Sequence, residues 1–424
     1  MSKKPSNLKI TYFLQYLLLI IVIFECNSVY SQIYKFHYYI RGSLIIFAIF
    51  ILLYLIINKI NVIKRRKNIN IIIKSIIYLL ICGFIMLLNS KELNGKIIAV
   101  LIIMMFSSLT LIYLLSLNKN ELKIFLNKYV KIILIISSIS LVFWMFGSVL
   151  HIIKPINQIK VVWGKPYTLV DNYAFIYFDS KQVQTWITNA PIPRNMSIFG
   201  EAPMYAFVII IAMIINNYTT KNNSKSNKYA NIILMLSLLS TISVTGIVSG
   251  ILILLPTILN YYNSLSIKIK RIILVIIIVS AILIFPVGRK IVINKLSTSS
   301  SNARVMDLKN GFNAYIESPI IGKGINHPRE YENNVKKGYG YSNVIIPILT
   351  DGGIVLTIIY LSPIIAYIIL IVKYKKTNFN DIILLLVYLI ILFTTAVQYR
   401  MLLIMFICVL YYNYIIKLRD KSKV

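Results

Sequence analysis

Residues 191–216 read PIPRNMSIFGEAPMYAFVIIIAMIIN, a turn-rich polar stretch that runs without a spacer into an unbroken apolar segment. From Met204 onward that segment carries no charge, and it has the length of a membrane crossing, about 20 apolar residues for a hydrocarbon core about 30 Å thick. Arg194 and Glu201 are thereby held at the lip of a span, where a charge is costly enough to suggest a purpose. An arginine there can meet a lipid diphosphate through the parallel N–H groups of its fork, or serve only as a helix-end anchor on lipid phosphate.

Similar segments recur along the whole chain. Of its 424 residues 58% are hydrophobic and the mean hydropathy is +0.77, above the apolar share of about half found in soluble domains. Apolar runs begin near Thr11, Gly42, Asn70, Ile97, Ile132, Met204, Ala230, Gly246, Ile272, Gly352, Asp381 and Met401. This predicts an all-α polytopic transmembrane helical bundle of about 12 spans, with residues 1–424 as one integral membrane domain.

Lys3, Lys4 and Lys9 put the N-terminus inside, and alternation places Lys64-Arg65-Arg66-Lys67, Lys268-Ile269-Lys270-Arg271 and Lys373-Tyr374-Lys375-Lys376 on the same side. Of the 45 Lys and Arg residues, 25 fall on the inside segments and 5 in short outside loops. Position relative to the spans therefore accounts for the net charge of +32, and nucleic acid is not an expected partner. The expected location is the cytoplasmic (inner) membrane of a bacterium, with both termini cytoplasmic. Reading the first run as a signal peptide ending near Ser28 or Ser31 would leave an odd number of spans without moving the large loops. Cys26, Cys82 and Cys408 lie in or beside spans at no paired or metal-ligand spacing, which argues against disulfides and zinc.

Two segments are too long and polar to be membrane turns, about 151–195 and about 288–343, and loops of that length are usually functional. The first holds Trp163, Tyr167, Tyr173, Phe175, Tyr177, Phe178 and Trp186, rings suited to stacking on sugar faces or to resting at the membrane interface. Although the chain has only 13 acidic residues, Asp171, Asp179, Glu201, Asp307, Glu317, Glu330, Glu332 and Asp351 fall in or beside these two loops. A general base must be a titratable group within reach of the reacting hydroxyl, so the outer face is the expected place for catalysis. The second loop runs through Arg304, Glu317-Ser318-Pro319-Ile320-Ile321-Gly322-Lys323-Gly324, Asn326-His327-Pro328-Arg329 and Tyr341-Ser342-Asn343. It then meets a span interrupted at Asp351-Gly352-Gly353, where Asp351 either caps a helix or is drawn into a site.

At these residues the chain resembles the O-antigen ligase and polymerase family of bacterial surface-polysaccharide assembly. That family's first-loop pattern of Arg, Gly, Phe and an acid before proline is matched in order by Arg194, Phe199, Glu201 and Pro203, with Ser197 for the glycine and Ala202 inserted before the proline. Its second-loop pattern resembles Arg304, Pro319, Gly322, Gly324, Asn343, Asp351 and Gly352. Ligases of the family typically have a histidine before that asparagine, where this chain has Ser342, and an arginine common at a middle span is missing from Ser243-Val244-Thr245-Gly246.

The resemblance implies a metal-independent glycosyltransferase without a cofactor, a Wzy-type polymerase ahead of a ligase. An undecaprenyl diphosphate-linked oligosaccharide would give its reducing-end sugar to a hydroxyl of a second lipid-linked repeat. Arg194 and Arg304 would bind the diphosphate with Arg329 in reserve, and Glu201 would orient or deprotonate the acceptor. His327, Asn343 and Asp351 are further substrate-binding candidates. The implied partners are that lipid-linked glycan, membrane lipid, and a chain-length regulator and flippase of the same pathway. A flippase itself would instead have short loops and ionisable residues inside its spans.

Overall fold

The computed structural model describes residues 5–58, 95–163, 167–184, 191–219, 225–264, 299–325, 342–373 and 379–421, with short pieces within 73–85 and 266–269. The runs expected near Asn70 and Ile272 and the basic clusters at 64–67, 268–271 and 374–376 lie wholly or largely outside the described residues. Trp186, His327, Arg329, Glu330 and Glu332 lie outside them as well.

The described helices are α1 (Pro5–Glu25), α2 (His37–Ile57), α3 (Gly95–Ser116), α4 (Lys119–Phe143), α5 (Ala202–Thr219), α6 (Lys225–Ser240), α7 (Val244–Ser264), α8 (Ser299–Ile316), α9 (Ile345–Lys373), α10 (Phe379–Thr394) and α11 (Met401–Lys421). Among the described residues five segments are long and apolar enough to cross a membrane: His37–Ile57, Ile97–Ser116, Lys119–Val149, Val244–Asn263 and Ile345–Ile369. The chain is thus a mostly helical, multi-pass membrane protein.

At the centre stands α5, every residue of which is buried from Met204 to Ile215. A helix that is apolar on all faces belongs inside a bundle, and α5 packs against α4, α6 and α7. Between helices in lipid the hydrophobic effect supplies little attraction, so close approach of backbones at small residues matters more. On α7, Gly246 and Gly250 serve this purpose. A Cβ at Gly250 would lie 2.5 Å from Leu238 Cδ2 of α6, and one at Gly246 would lie 3.0 Å from Ala206 Cβ of α5.

The first large loop is folded rather than irregular. Strands β1 (Asn157–Val161), β2 (Thr168–Tyr173) and β3 (Tyr177–Asp179) form an antiparallel sheet in that order, and β4 (Val183–Gln184) pairs with β5 (Ile192–Pro193). The β2–β3 turn places Ala174 and Phe175 at φ 53° and 59°, the positive values of a type I′ hairpin usually supplied by Asn-Gly. The Asn172 Oδ1 atom, which accepts from the Phe175 N–H at 2.8 Å, holds that turn. Three of the seven rings offered for sugar stacking are instead this loop's core: Tyr173, Tyr177 and Phe178 are buried, and Tyr177 stacks on Phe143 of α4 at 6.1 Å.

The segment between α1 and α2 ties the loop to the bundle. Val29 N–H donates to Ile198 O at 2.8 Å, Gly200 N–H to Asn27 O at 2.8 Å, Tyr34 N–H to Lys160 O at 2.9 Å and Val162 N–H to Gln32 O at 2.7 Å. Both the sheet and the Arg194–Glu201 stretch are therefore seated on one short connection.

In the second loop the Pro-x-x-Gly-x-Gly stretch and the acid-Gly-Gly stretch form one interlocked unit. Helix α9 is broken at Gly353 (φ 63°, ψ −164°), and the freed N–H groups of Ile354 and Val355 donate to Pro319 O and Ile320 O at 2.9 and 3.2 Å. In return Lys323 N–H and Gly324 N–H donate to Thr350 O and Asp351 O at 2.8 and 2.9 Å. Gly322, at φ 72°, lies so close that a Cβ would meet Gly352 N and Gly353 N at 2.5 Å. Gly322→Ala is therefore expected to destabilise the protein by about 2 kcal/mol or more, through left-handed strain and backbone clash together. A lowered melting midpoint of the purified variant in detergent checks it.

Candidate functional site

Glu201 immediately precedes α5, so the most tightly packed helix of the bundle fixes its backbone. The approach to it is a narrow turn. Asn195 is buried, donating its backbone N–H to Ser240 O (2.9 Å) and its Nδ2 to Ser240 Oγ (2.9 Å), while its Oδ1 accepts from Ser140 Oγ (2.6 Å) and from Ser197 N–H (3.0 Å). Ser197, which stands where the family pattern has glycine, is at φ 54°. A left-handed residue is thus required there, and glycine is the residue that adopts it at least cost.

Arg194 emerges from β5 with its backbone N–H on Gln182 O and its Nε donating to Thr241 O at 2.9 Å. That carbonyl belongs to the turn just before Ser243-Val244-Thr245-Gly246, so the turn lacking the arginine common in the family receives one from the first large loop instead. Burial lowers the Arg194 guanidinium to about 10, Glu201 opposing the shift and Arg304 adding to it.

Four groups converge on the Glu201 carboxylate. Burial raises it above its usual range, whereas Arg194, Arg304 and Arg400 each act to lower it, as does a hydrogen bond from the Trp163 side chain. Among the described residues no arginine comes within 4.0 Å of Glu201 as an ion pair.

The sequence-predicted residues divide accordingly. Arg194, just after β5, and Arg304, on α8, both act electrostatically on Glu201 at the start of α5. Asn343 is buried and caps α9, its Oδ1 accepting from Ile346 N–H at 2.9 Å. It takes the capping place considered for Asp351, and α9 starts at Ile345, before the expected Gly352. Asp351 is also buried, at the α9 break, with Tyr399 Oη donating to its Oδ2 at 2.8 Å. His327 and Arg329 lie outside the described residues.

Reading the sequence missed Glu25 and Arg400. The Arg400 Nη1 lies 3.3 Å from Glu25 Oε1, its Nη2 donates to Asn27 Oδ1 at 2.8 Å, and Glu25 Oε2 accepts from Met401 N–H at 3.0 Å. Each charge borders an apolar run at the loop-bearing end, the same signal that singled out Arg194 and Glu201.

This geometry defines a helical membrane protein with a cationic, carboxylate-centred site where its loops gather. Residues 229–361 match the family model described as O-antigen ligase. The matched region, about a third of the chain, is similar to that family and takes in Thr241, Arg304, Gly322, Gly324, Asn343 and Asp351. Comparison with curated proteins and with solved structures returned no match.

Proposed function

We propose that this protein polymerises undecaprenyl diphosphate-linked oligosaccharide repeats into a bacterial surface polysaccharide. The observation that carries the reading is the convergence of Arg194 and Arg304, from different loops, on Glu201 at the head of α5. The acceptor hydroxyl attacks the anomeric carbon of the donor's reducing-end sugar, and the bond from that carbon to the phosphate oxygen breaks. The departing diphosphate keeps the electron pair, and the acceptor proton passes to the Glu201 carboxylate. Preorganised cations aimed at the developing charge stabilise such a transition state, and a carboxylate raised by burial is a stronger base than a solvated one.

Since guanidinium groups supply the positive charge that a metal supplies elsewhere, polymerisation by the purified protein is expected to continue in excess EDTA. Complete loss of activity on chelation, restored by a divalent ion, would contradict this. Transfer of finished chains to a different acceptor is the ligase reaction. Ser342 in the position of the typical ligase histidine favours polymerisation. Incubation of the purified protein with lipid diphosphate-linked repeats alone tests the choice: a ladder of lengths supports polymerisation, and unchanged repeats contradict it.

A further inference from the structure

A buried carboxylate and a half-buried guanidinium, Glu25 and Arg400, from the opposite ends of the chain, border the same site and have no part in the reaction as drawn above. Asn27 makes the junction. Its backbone carbonyl accepts from Gly200 N–H at 2.8 Å, one residue before Glu201, while its side-chain oxygen accepts from Arg400 Nη2 at 2.8 Å. Gly200 has no room for a side chain, because a Cβ would lie 2.8 Å from Gln32 Oε1. The Arg400 guanidinium and the Glu201 backbone are therefore tied to one residue by hydrogen bonds. Arg41, whose Nε donates to Ser31 O at 3.1 Å, adds a second cation beside Arg400, and both feel the single carboxylate of Glu25.

The site region is rich in arginine. Four guanidiniums, Arg41, Arg194, Arg304 and Arg400, act in this region together with the carboxylates of Glu25 and Glu201. Buried or half-buried charge left uncompensated is expensive, and a diphosphate joined at both ends carries one negative charge on each phosphate. Guanidinium groups gathered from separate elements suit such an anion.

We infer that Arg400 is a third diphosphate-binding group of this site and that Glu25 is the residue that positions it, so the ends of α1 and α11 complete the donor site. The inference rests on the reading of the site as one for a lipid diphosphate. In the unliganded arrangement Glu25 and Asn27 hold the guanidinium fork. On binding, the diphosphate competes with Glu25 for the Nη1 hydrogens while Asn27 keeps Nη2 in place. Glu25 thus opposes the anion even as it orients the arginine, and that gives its removal a distinctive sign.

The test uses the full-length protein in nanodiscs with undecaprenyl diphosphate as probe and undecaprenol to subtract the contribution of the tail. Arg400→Gln is expected to weaken binding by about tenfold or more, the loss of a charge-assisted bidentate contact. Glu25→Gln, which keeps the acceptor for Met401 N–H and removes a negative charge, is expected to tighten it several-fold. A purely structural tie between α1 and α11 would lower the melting midpoint of both variants and leave the affinity of the folded fraction alone. Wild-type affinity in folded Arg400→Gln overturns the inference; if that variant does not fold, unchanged or weaker binding by Glu25→Gln does so. Should Arg194→Ala and Arg304→Ala lose affinity while Arg400→Gln retains it, the polymerase reading stands and only this inference falls. Failure of the wild-type protein to bind the probe above undecaprenol overturns both.

Discussion

Arg194→Ala is expected to cut polymerisation by about 10²–10³-fold, the usual cost of removing one preorganised donor from a developing negative charge. Arg304→Ala is expected to fall in the same range, because both guanidiniums act electrostatically on Glu201 from separate elements. Arg194 also fastens the first large loop to the turn at Thr241, so part of the loss on truncation could come from a displaced loop. Arg194→Lys keeps the charge but loses both the planar fork that engages two phosphate oxygens and the Nε donor to Thr241 O, so its melting midpoint, read beside its rate, separates the two contributions. That variant should fold with a near wild-type melting midpoint and still lose about tenfold or more in rate. Initial rates of chain extension on purified protein, normalised to the folded fraction, provide the check. Wild-type rates in both alanine variants would remove the diphosphate role from these residues.

Glu201→Gln is expected to be the second severe change. Loss of a positioned general base costs about 10²–10⁴-fold, and glutamine keeps the shape of the side chain while removing its capacity to take a proton. The sign of the pH dependence follows from the direction of the shift. Burial holds the Glu201 carboxyl above its ordinary value despite three nearby arginines, so a base that must be ionised loses activity as pH falls through that raised value. The acid limb of the rate profile should therefore lie above the limb expected for a solvated glutamate. In Glu201→Gln the small residual rate should show no acid limb over the same window. A full-rate Glu201→Gln enzyme would exclude proton transfer to this group.

The membrane architecture was legible because its cause is local: a span needs only a long enough apolar run, and the run after Pro203 advertises itself without any knowledge of its neighbours. Arg194 and Glu201 stand out for a related reason, as charges at the margin of such a run, and Arg304 stands out through the family pattern alone. The three-stranded sheet was hidden because its hairpin turn uses Ala174 and Phe175 at positive φ in place of the glycine or asparagine that marks such turns. Glu25 and Arg400 were hidden for a different reason. Each bears the expected signal, but their pairing spans 375 positions of sequence, and a lone charge at a span end reads equally well as an anchor. The role of Asn27 is a matter of three dimensions altogether, since one residue holds Gly200 through its backbone and Arg400 through its side chain.

The interlock at Gly322 and Gly353 shows how two weak patterns become one strong constraint. Glycine at either place, taken alone, signals no more than a turn. Together they let two backbones approach closely enough to exchange hydrogen bonds in both directions. They also set Asp351 against Tyr399, whose neighbour is Arg400. The second large loop, the broken helix α9 and the entry to α11 are thereby held in register with the site around Glu201.

The most direct test is the size distribution of surface and undecaprenyl-linked glycans in a bacterial strain lacking this gene, resolved by gel and mass spectrometry. A polymerase leaves single repeat units in place of the ladder, and the ladder returns with the wild-type gene but not with Arg194→Ala. A full ladder of lipid-linked chains that never reach their final acceptor would contradict polymerisation and identify a ligase, while an unaltered glycan profile would contradict a role in this chemistry altogether.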